Sequence, residues 1–199
     1  DQYGLPILYI DRDGVTEQWR RDDRGNATTY LKGGKTVWTA TYDNHGFVVN
    51  YTVYGGSTVS TDYSYDQWGN MINRITGGIS ETWEYDERNR VILYKVDDAV
   101  QATYTYTAKS ATETLYNGLE RVYIWNSRKD LIAIKETDLI TGEHRVTEWQ
   151  YDRRHLPVGQ YIGDGSTRRL TTQWRYLPGG ELEAELIQDD KQGWLTTYT

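Results

Sequence analysis

Aromatic and polar residues alternate along this chain in short runs, and turn residues cut the runs at regular intervals. In Tyr63-Ser64-Tyr65, Trp83-Glu84-Tyr85, Tyr104-Thr105-Tyr106 and Trp149-Gln150-Tyr151, two rings stand at i and i+2 with a polar residue between. That is the period of a β-strand, with the rings on one face and the polar residue on the other. Gly33-Gly34, Gly55-Gly56 and Gly77-Gly78 recur every 22 residues. Asp97-Asp98, Asn117-Gly118, Thr141-Gly142, Gly163-Asp164-Gly165 and Gly179-Gly180 continue the series. Turn signals about 8–12 residues apart predict short antiparallel strands joined by hairpins.

A second punctuation lies between these turns. Asp22, Asp43, Asp66, Asp86 and Asp152 each follow an aromatic residue by one to three positions and precede Gly, Asn or His by three. An Asp opening a turn accepts hydrogen bonds from backbone N–H groups two residues on, and Gly or Asn supplies the positive φ that such a turn requires. These five Asp are therefore read as structural turn residues. The expected fold is all-β: tandem antiparallel β-hairpins, about eight units of roughly 21 residues and roughly sixteen strands. They should form one long curled or spiral sheet, a half-shell or barrel-like body that buries the aromatic face. Residues 1–199 are read as one such domain, with the repeat degenerate at about 104–145 and 174–199.

Tyr65-Asp66-Gln67-Trp68-Gly69-Asn70, with its partners at Asp43, Asp86 and Asp152, resembles the YD repeats of the RHS family. The resemblance spans roughly residues 15–180. It implies β-hairpins wound into a spiral sheet. Long members form shells that enclose toxin segments, which makes toxin biology the first expectation. This chain is expected to be a short stand-alone array without a toxin domain.

Composition sharpens the picture. With 18 Tyr and 8 Trp against one Phe and one Met, the chain favours strands, and its aromatic content supplies burial that a disordered chain lacks. Its formal charge of −7 argues against nucleic acid or an anionic membrane as the main partner and suits a basic protein partner. Cys is absent, which removes thiolate metal sites and Cys nucleophiles. No apolar run is long enough for a membrane-spanning helix. The chain opens on Asp1 rather than Met, which fits a processed periplasmic or extracellular protein, a lipoprotein among the options.

Catalytic chemistry finds little footing. Recurring Asp residues resemble a carboxylate array, but a turn role explains every copy. Asp11-Arg12-Asp13-Gly14 lacks the further oxygen ligands of a calcium loop and reads as a type I′-like turn at Asp13-Gly14. His45, His144 and His155 have no metal-ligand spacing. No cofactor is expected. Trp68 and His45 sit at turn tips, where Trp68 either contacts a partner or packs over the next hairpin. Arg128 and Lys129 lie in the irregular stretch 108–145, and irregular segments on a regular scaffold often carry function. These four are the candidate partner-binding residues. The segment Glu181–Ile187 alternates Glu with apolar residues and reads as a charged edge strand, turning at Asp189 and Asp190 into Trp194-Leu195.

The expected function is a non-enzymatic protein-binding module of bacterial toxin biology, most specifically an immunity protein or inhibitor of a basic effector. The alternatives are a glycan-binding protein, through its aromatic rings, and a structural fragment of a longer YD-repeat protein.

Overall fold

A computed structural model describes residues 2, 4–164, 167–188 and 192–198. Gly165, Asp189 and Asp190, expected in turns, lie outside the described residues, as does Asp1. The described residues form eighteen strands and no helix. The chain divides into two compact units, Asp1–Val100 and Gln101–Thr199.

The first unit runs through β1 (Leu8–Ile10), β2 (Thr16–Arg21), β3 (Ala27–Lys32), β4 (Lys35–Tyr42), β5 (Val48–Val53), β6 (Val59–Tyr65), β7 (Met71–Thr76), β8 (Ile79–Tyr85) and β9 (Val91–Val96). Each strand pairs antiparallel with the next from β1 through β9. β10 (Ala99–Tyr106) begins at the boundary. The second unit continues through β11 (Ser110–Leu115), β12 (Leu119–Trp125), β13 (Leu131–Asp138), β14 (His144–Tyr151), β15 (Pro157–Gly163), β16 (Arg168–Tyr176), β17 (Leu182–Gln188) and β18 (Gly193–Thr197). From β10 to β18 each strand again pairs antiparallel with its successor. This is the all-β hairpin array that the alternation and turn spacing predict. The segment read as an edge strand is β17, and it is internal, flanked by β16 and β18. Its alternation marks two differently populated faces; a strand with both ladders filled shows the same pattern.

The two kinds of turn differ physically. At Gly33-Gly34, Gly77-Gly78 and Asp97-Asp98 both central residues have positive φ. That is the type I′ geometry that matches the twist of the flanking strands. The Asp turns are longer. Asp66 donates its N–H to the Asn70 carbonyl (2.9 Å), and Gly69 N–H bonds back to the Asp66 carbonyl (3.1 Å). The pairing register shifts just before the turn in four hairpins of the first unit, at Arg20/Arg21, Thr41/Tyr42, Ser64/Tyr65 and Glu84/Tyr85. It shifts at the same place in the second unit, at Ile124/Trp125, Gln150/Tyr151 and Arg175/Tyr176. Where the shifted residue is the motif tyrosine, as at Tyr42, Tyr65, Tyr85 and Tyr151, the bulge re-aims it.

That tyrosine ties one hairpin to the one before it. Tyr42, Tyr65 and Tyr85 donate their hydroxyls to the carbonyls of Ala27 (2.8 Å), Val48 (2.9 Å) and Met71 (2.7 Å). In the second unit Tyr151 donates to the Leu131 carbonyl (2.8 Å). Side-chain packing adds to these bonds. Trp19, Tyr30, Trp38 and Tyr51 form a continuous ring series across β2 to β5, with centroids 5.3, 6.1 and 5.5 Å apart. These rings are half-buried rather than buried. The only buried hydrophobics among the described residues are Leu31 and Ala40 in the first unit and Ala102, Ala133 and Ala184 in the second. Cross-strand pairs and hydrogen bonds, more than a closed core, hold each unit.

Candidate functional site: the rim of Asp turns

The sequence-predicted residues fall on the tips of the Asp turns. In each turn one carboxylate oxygen, Oδ1, accepts the N–H groups at i+2 and i+4. For Asp66 these come from Trp68 and Asn70, both at 2.9 Å. Asp22, Asp43, Asp86 and Asp152 repeat the arrangement. The second oxygen of Asp66 accepts Asn70 Nδ2, and that of Asp86 accepts the Arg90 guanidinium. The Arg90 bond is the main force holding the Asp86 carboxyl down at about 2. Carboxylates saturated with donors in this way are tied up as turn anchors.

Three further turns belong to the series: one opened by Asp11, and two at Asn126 and Thr107, where the sequence motif has lost its Asp. Asp11 Oδ1 accepts Asp13 N–H and Val15 N–H at 2.9 and 2.8 Å, and Gly14 closes the turn at φ 78°. The turn expected at Asp13-Gly14 is therefore an Asp turn opened by Asp11. Asn126 takes the Asp role through its amide oxygen, accepting Arg128 N–H (2.8 Å) and Asp130 N–H (3.0 Å). Thr107 does so through its hydroxyl oxygen, accepting Lys109 N–H and Ser110 N–H. The hairpin repeat thus runs unbroken through the stretch 108–145 that sequence reasoning read as degenerate.

Trp68 stands at the i+2 tip of the Asp66 turn and is 70% exposed. His45 occupies the same position one turn earlier and is exposed, its Nδ1 3.7 Å from Asp43 Oδ2. Phe47, below His45, stacks on Tyr65 at 5.0 Å and closes on the backbone of Gly69. In the second unit Arg128 is the i+2 tip of the Asn126 turn, and Lys129 occupies its positive-φ position at 72°.

Sequence reasoning missed what the i+2 position does. Arg24 Nη1 donates to the Asn44 carbonyl (2.7 Å) and the Asp43 carbonyl (3.3 Å), linking two turns of the first unit. Arg128 Nη2 reaches the Asp152 carbonyl (3.3 Å), and Arg154 Nη1 reaches the carbonyls of Leu177 (2.9 Å) and Pro178 (3.0 Å). The recurrence of Arg two residues after the turn Asp was the available signal. Asp130 was missed altogether. Its side chain is 6% exposed and accepts from Asn126 Nδ2 (2.8 Å) and Arg128 Nη2 (3.2 Å), while His155 Nδ1 lies 2.5 Å from its Oδ1. The Asn126 bond first, and His155 second, hold the Asp130 carboxyl below its usual value.

The family model of the Teneurin YD-shell matches residues 23–132, more than half of the chain. The tRNA3(Ser)-specific nuclease WapA of Bacillus spizizenii is 29% identical over 146 residues, which are 72% of this chain and 6% of that protein. The tRNA nuclease WapA of Bacillus subtilis is 31% identical over the same length and shares. The chain therefore spans a small fraction of these relatives. Among solved structures, TcdB2-TccC3 aligns with 94% of this chain and 13% of its own, at a TM-score of 0.66 and 12% identity. The Photorhabdus luminescens Tc holotoxin pore covers the whole chain with 14% of its own, at 0.58 and 15%. These two likenesses concern the fold. With Asp turns, preceding bulges and tyrosine bonds repeated through both units, and with the family model matching more than half of its length, this chain belongs to the Teneurin YD-shell family of RHS/YD-repeat proteins.

Proposed function

We propose that the chain is a non-enzymatic, protein-holding wall segment of a YD-repeat protein of bacterial toxin biology. One observation carries the reading: every carboxylate of the recurring turn motif is occupied by backbone N–H groups of its own turn, so the most regular feature of the sequence is architectural. Relatives named as tRNA nucleases and a structural neighbour named as a Tc holotoxin pore support the biological setting, and the small share of them that the chain spans supports a wall role.

A second reading, an immunity protein or inhibitor that binds a basic effector, draws support from the net charge of −7. Glycan binding by ring stacking is less favoured. Trp19 and Tyr30 lie 5.3 Å apart with their planes 30° from parallel, so they spend ring faces on each other.

The test is affinity capture with the purified chain as bait in source-cell lysate, read by mass spectrometry. A single stoichiometric protein is expected, and its chemistry separates the two readings: a basic effector identifies an inhibitor. An empty capture by a folded, monomeric bait overturns protein binding.

A further inference from the structure

The chain is acidic, yet three neighbouring turns of the second unit are basic, while the next turn, at 177–181, carries Glu181. The basic turns at 107–110, 126–130 and 152–156 carry Lys109, Arg128, Lys129, Arg153, Arg154 and His155. The carboxylates among them are spent. Asp130 is buried under Asn126, Arg128 and His155, and Asp152 is bonded by Arg154 Nε at 2.9 Å. Lys109, Lys129 and Arg153 are exposed, and their side chains make no hydrogen bond or ion pair with described residues. Arg128 on the Asp152 carbonyl and His155 on Asp130 hold the turns at 126–130 and 152–156 edge to edge, and the Lys109 carbonyl accepts the N–H of Trp125, next to the Asn126 turn, at 2.9 Å.

A second observation is independent of charge. The fourth position of the turn demands positive φ; Gly25, Gly46, Gly69 and Gly180 meet that demand in other turns, and Asn89, of the residue type that tolerates it best after glycine, does so at 58° in the Asp86 turn. On this rim the position holds Lys129 at 72° and His155 at 66°. A non-glycine residue in that region is strained, and such strain clusters at functional sites. His155 offsets the cost through its contact with Asp130, whereas Lys129 has no bond that does so.

We infer that this rim is a docking surface for an acidic segment of a protein partner, with Lys109, Lys129 and Arg153 taking its carboxylates. The inference rests on the protein-binding reading and names the chemistry of one contact. Charge complementarity selects the occupant. A few carboxylates on a polypeptide meet three free cations locally, whereas a nucleic acid brings its full line of phosphates against a chain of net charge −7.

The test is fluorescence anisotropy with three labelled probes: a peptide of four Glu-Ala repeats, one of four Lys-Ala repeats, and a twelve-nucleotide single-stranded RNA. The full chain is compared with a triple variant, Lys109→Gln, Lys129→Gly and Arg153→Gln, and with a control, Lys35→Gln, in the first unit. Lys129→Gly relieves strain, and the other two changes are at exposed side chains, so far-UV circular dichroism should be unchanged. The acidic peptide should bind more tightly than the basic one, weaken with salt, and lose about tenfold or more in affinity in the triple variant but not the control. Absence of acidic-peptide binding, equal binding to the triple variant, or tighter binding of the RNA each overturns the proposal. A captured protein that still binds the triple variant would remove this surface while leaving the protein-binding reading intact.

Discussion

Removing the hydroxyl of a motif tyrosine tests whether bonds between successive hairpins hold the array. Tyr85→Phe deletes one oxygen whose bond to the Met71 carbonyl measures 2.7 Å, and it leaves the ring in place. A net intramolecular hydrogen bond is worth about 1 kcal/mol, and a carbonyl keeps a second lone pair for other donors, so the expected loss is about 1 kcal/mol. In a unit of about 100 residues that shifts Tm by roughly 4–8 °C. Tyr42→Phe and Tyr65→Phe remove equivalent bonds in the same unit, and the triple variant should lose about 3 kcal/mol if the bonds are independent. Thermal melts followed by far-UV circular dichroism measure both. Single variants indistinguishable from the parent, within about 0.3 kcal/mol, would refute the idea that these hydroxyls tie the hairpins together.

Further outcomes follow from the turns. Gly69→Ala places a Cβ at φ 86° and 2.7 Å from the Phe47 ring, so it should destabilise by about 1–3 kcal/mol; Gly55→Ala, with no positive φ and open space, should change stability by less than about 1 kcal/mol in urea melts. Lys129→Gly should stabilise by about 1 kcal/mol, whereas His155→Gly should gain nothing because it also gives up the contact with Asp130. Stability should fall at both pH extremes. Bonds from the Asn26 side chain to Asp22, from Arg90 to Asp86, and from Asn126 and His155 to Asp130 lower these carboxyls in the folded state. Their contribution is therefore present above about pH 4 and lost as pH falls below it, for Asp86 down to about 2. Burial raises the phenols of Tyr42, Tyr65, Tyr85 and Tyr151, so their contribution holds below about pH 10 and is lost above it. Urea midpoints across pH check both limbs.

The alternation of rings with polar residues, the Gly-Gly turns and the recurring Asp are local signals, and they reveal the hairpin array directly. The units ending at Thr107 and Asn126 read as decayed because they lack the Asp, yet the turn needs only one side-chain oxygen acceptor, which hydroxyl and amide groups also supply. Glu181–Ile187 looked like an edge because period-two alternation reports the two faces of a strand and is silent about its two ladders. Trp68 and His45 were visible as turn-tip residues, whereas Arg128 and Lys129 stood out only as cations in an irregular stretch, and their tip positions come from the folded turn opened by Asn126. The bonds from Arg128 and Arg154 to the next turn, and the buried Asp130, depend on which hairpins lie side by side; residues 130 and 155 meet only in the folded sheet.

The central claim is that the Asp array is architectural and that the chain does no chemistry of its own. Incubating the purified, folded chain with total tRNA tests this most directly, because relatives that match it are tRNA nucleases. The account predicts intact tRNA on denaturing gels, for the parent and for Asp66→Asn and Asp86→Asn alike. Cleavage by the parent that disappears in either variant while the fold is retained would contradict it.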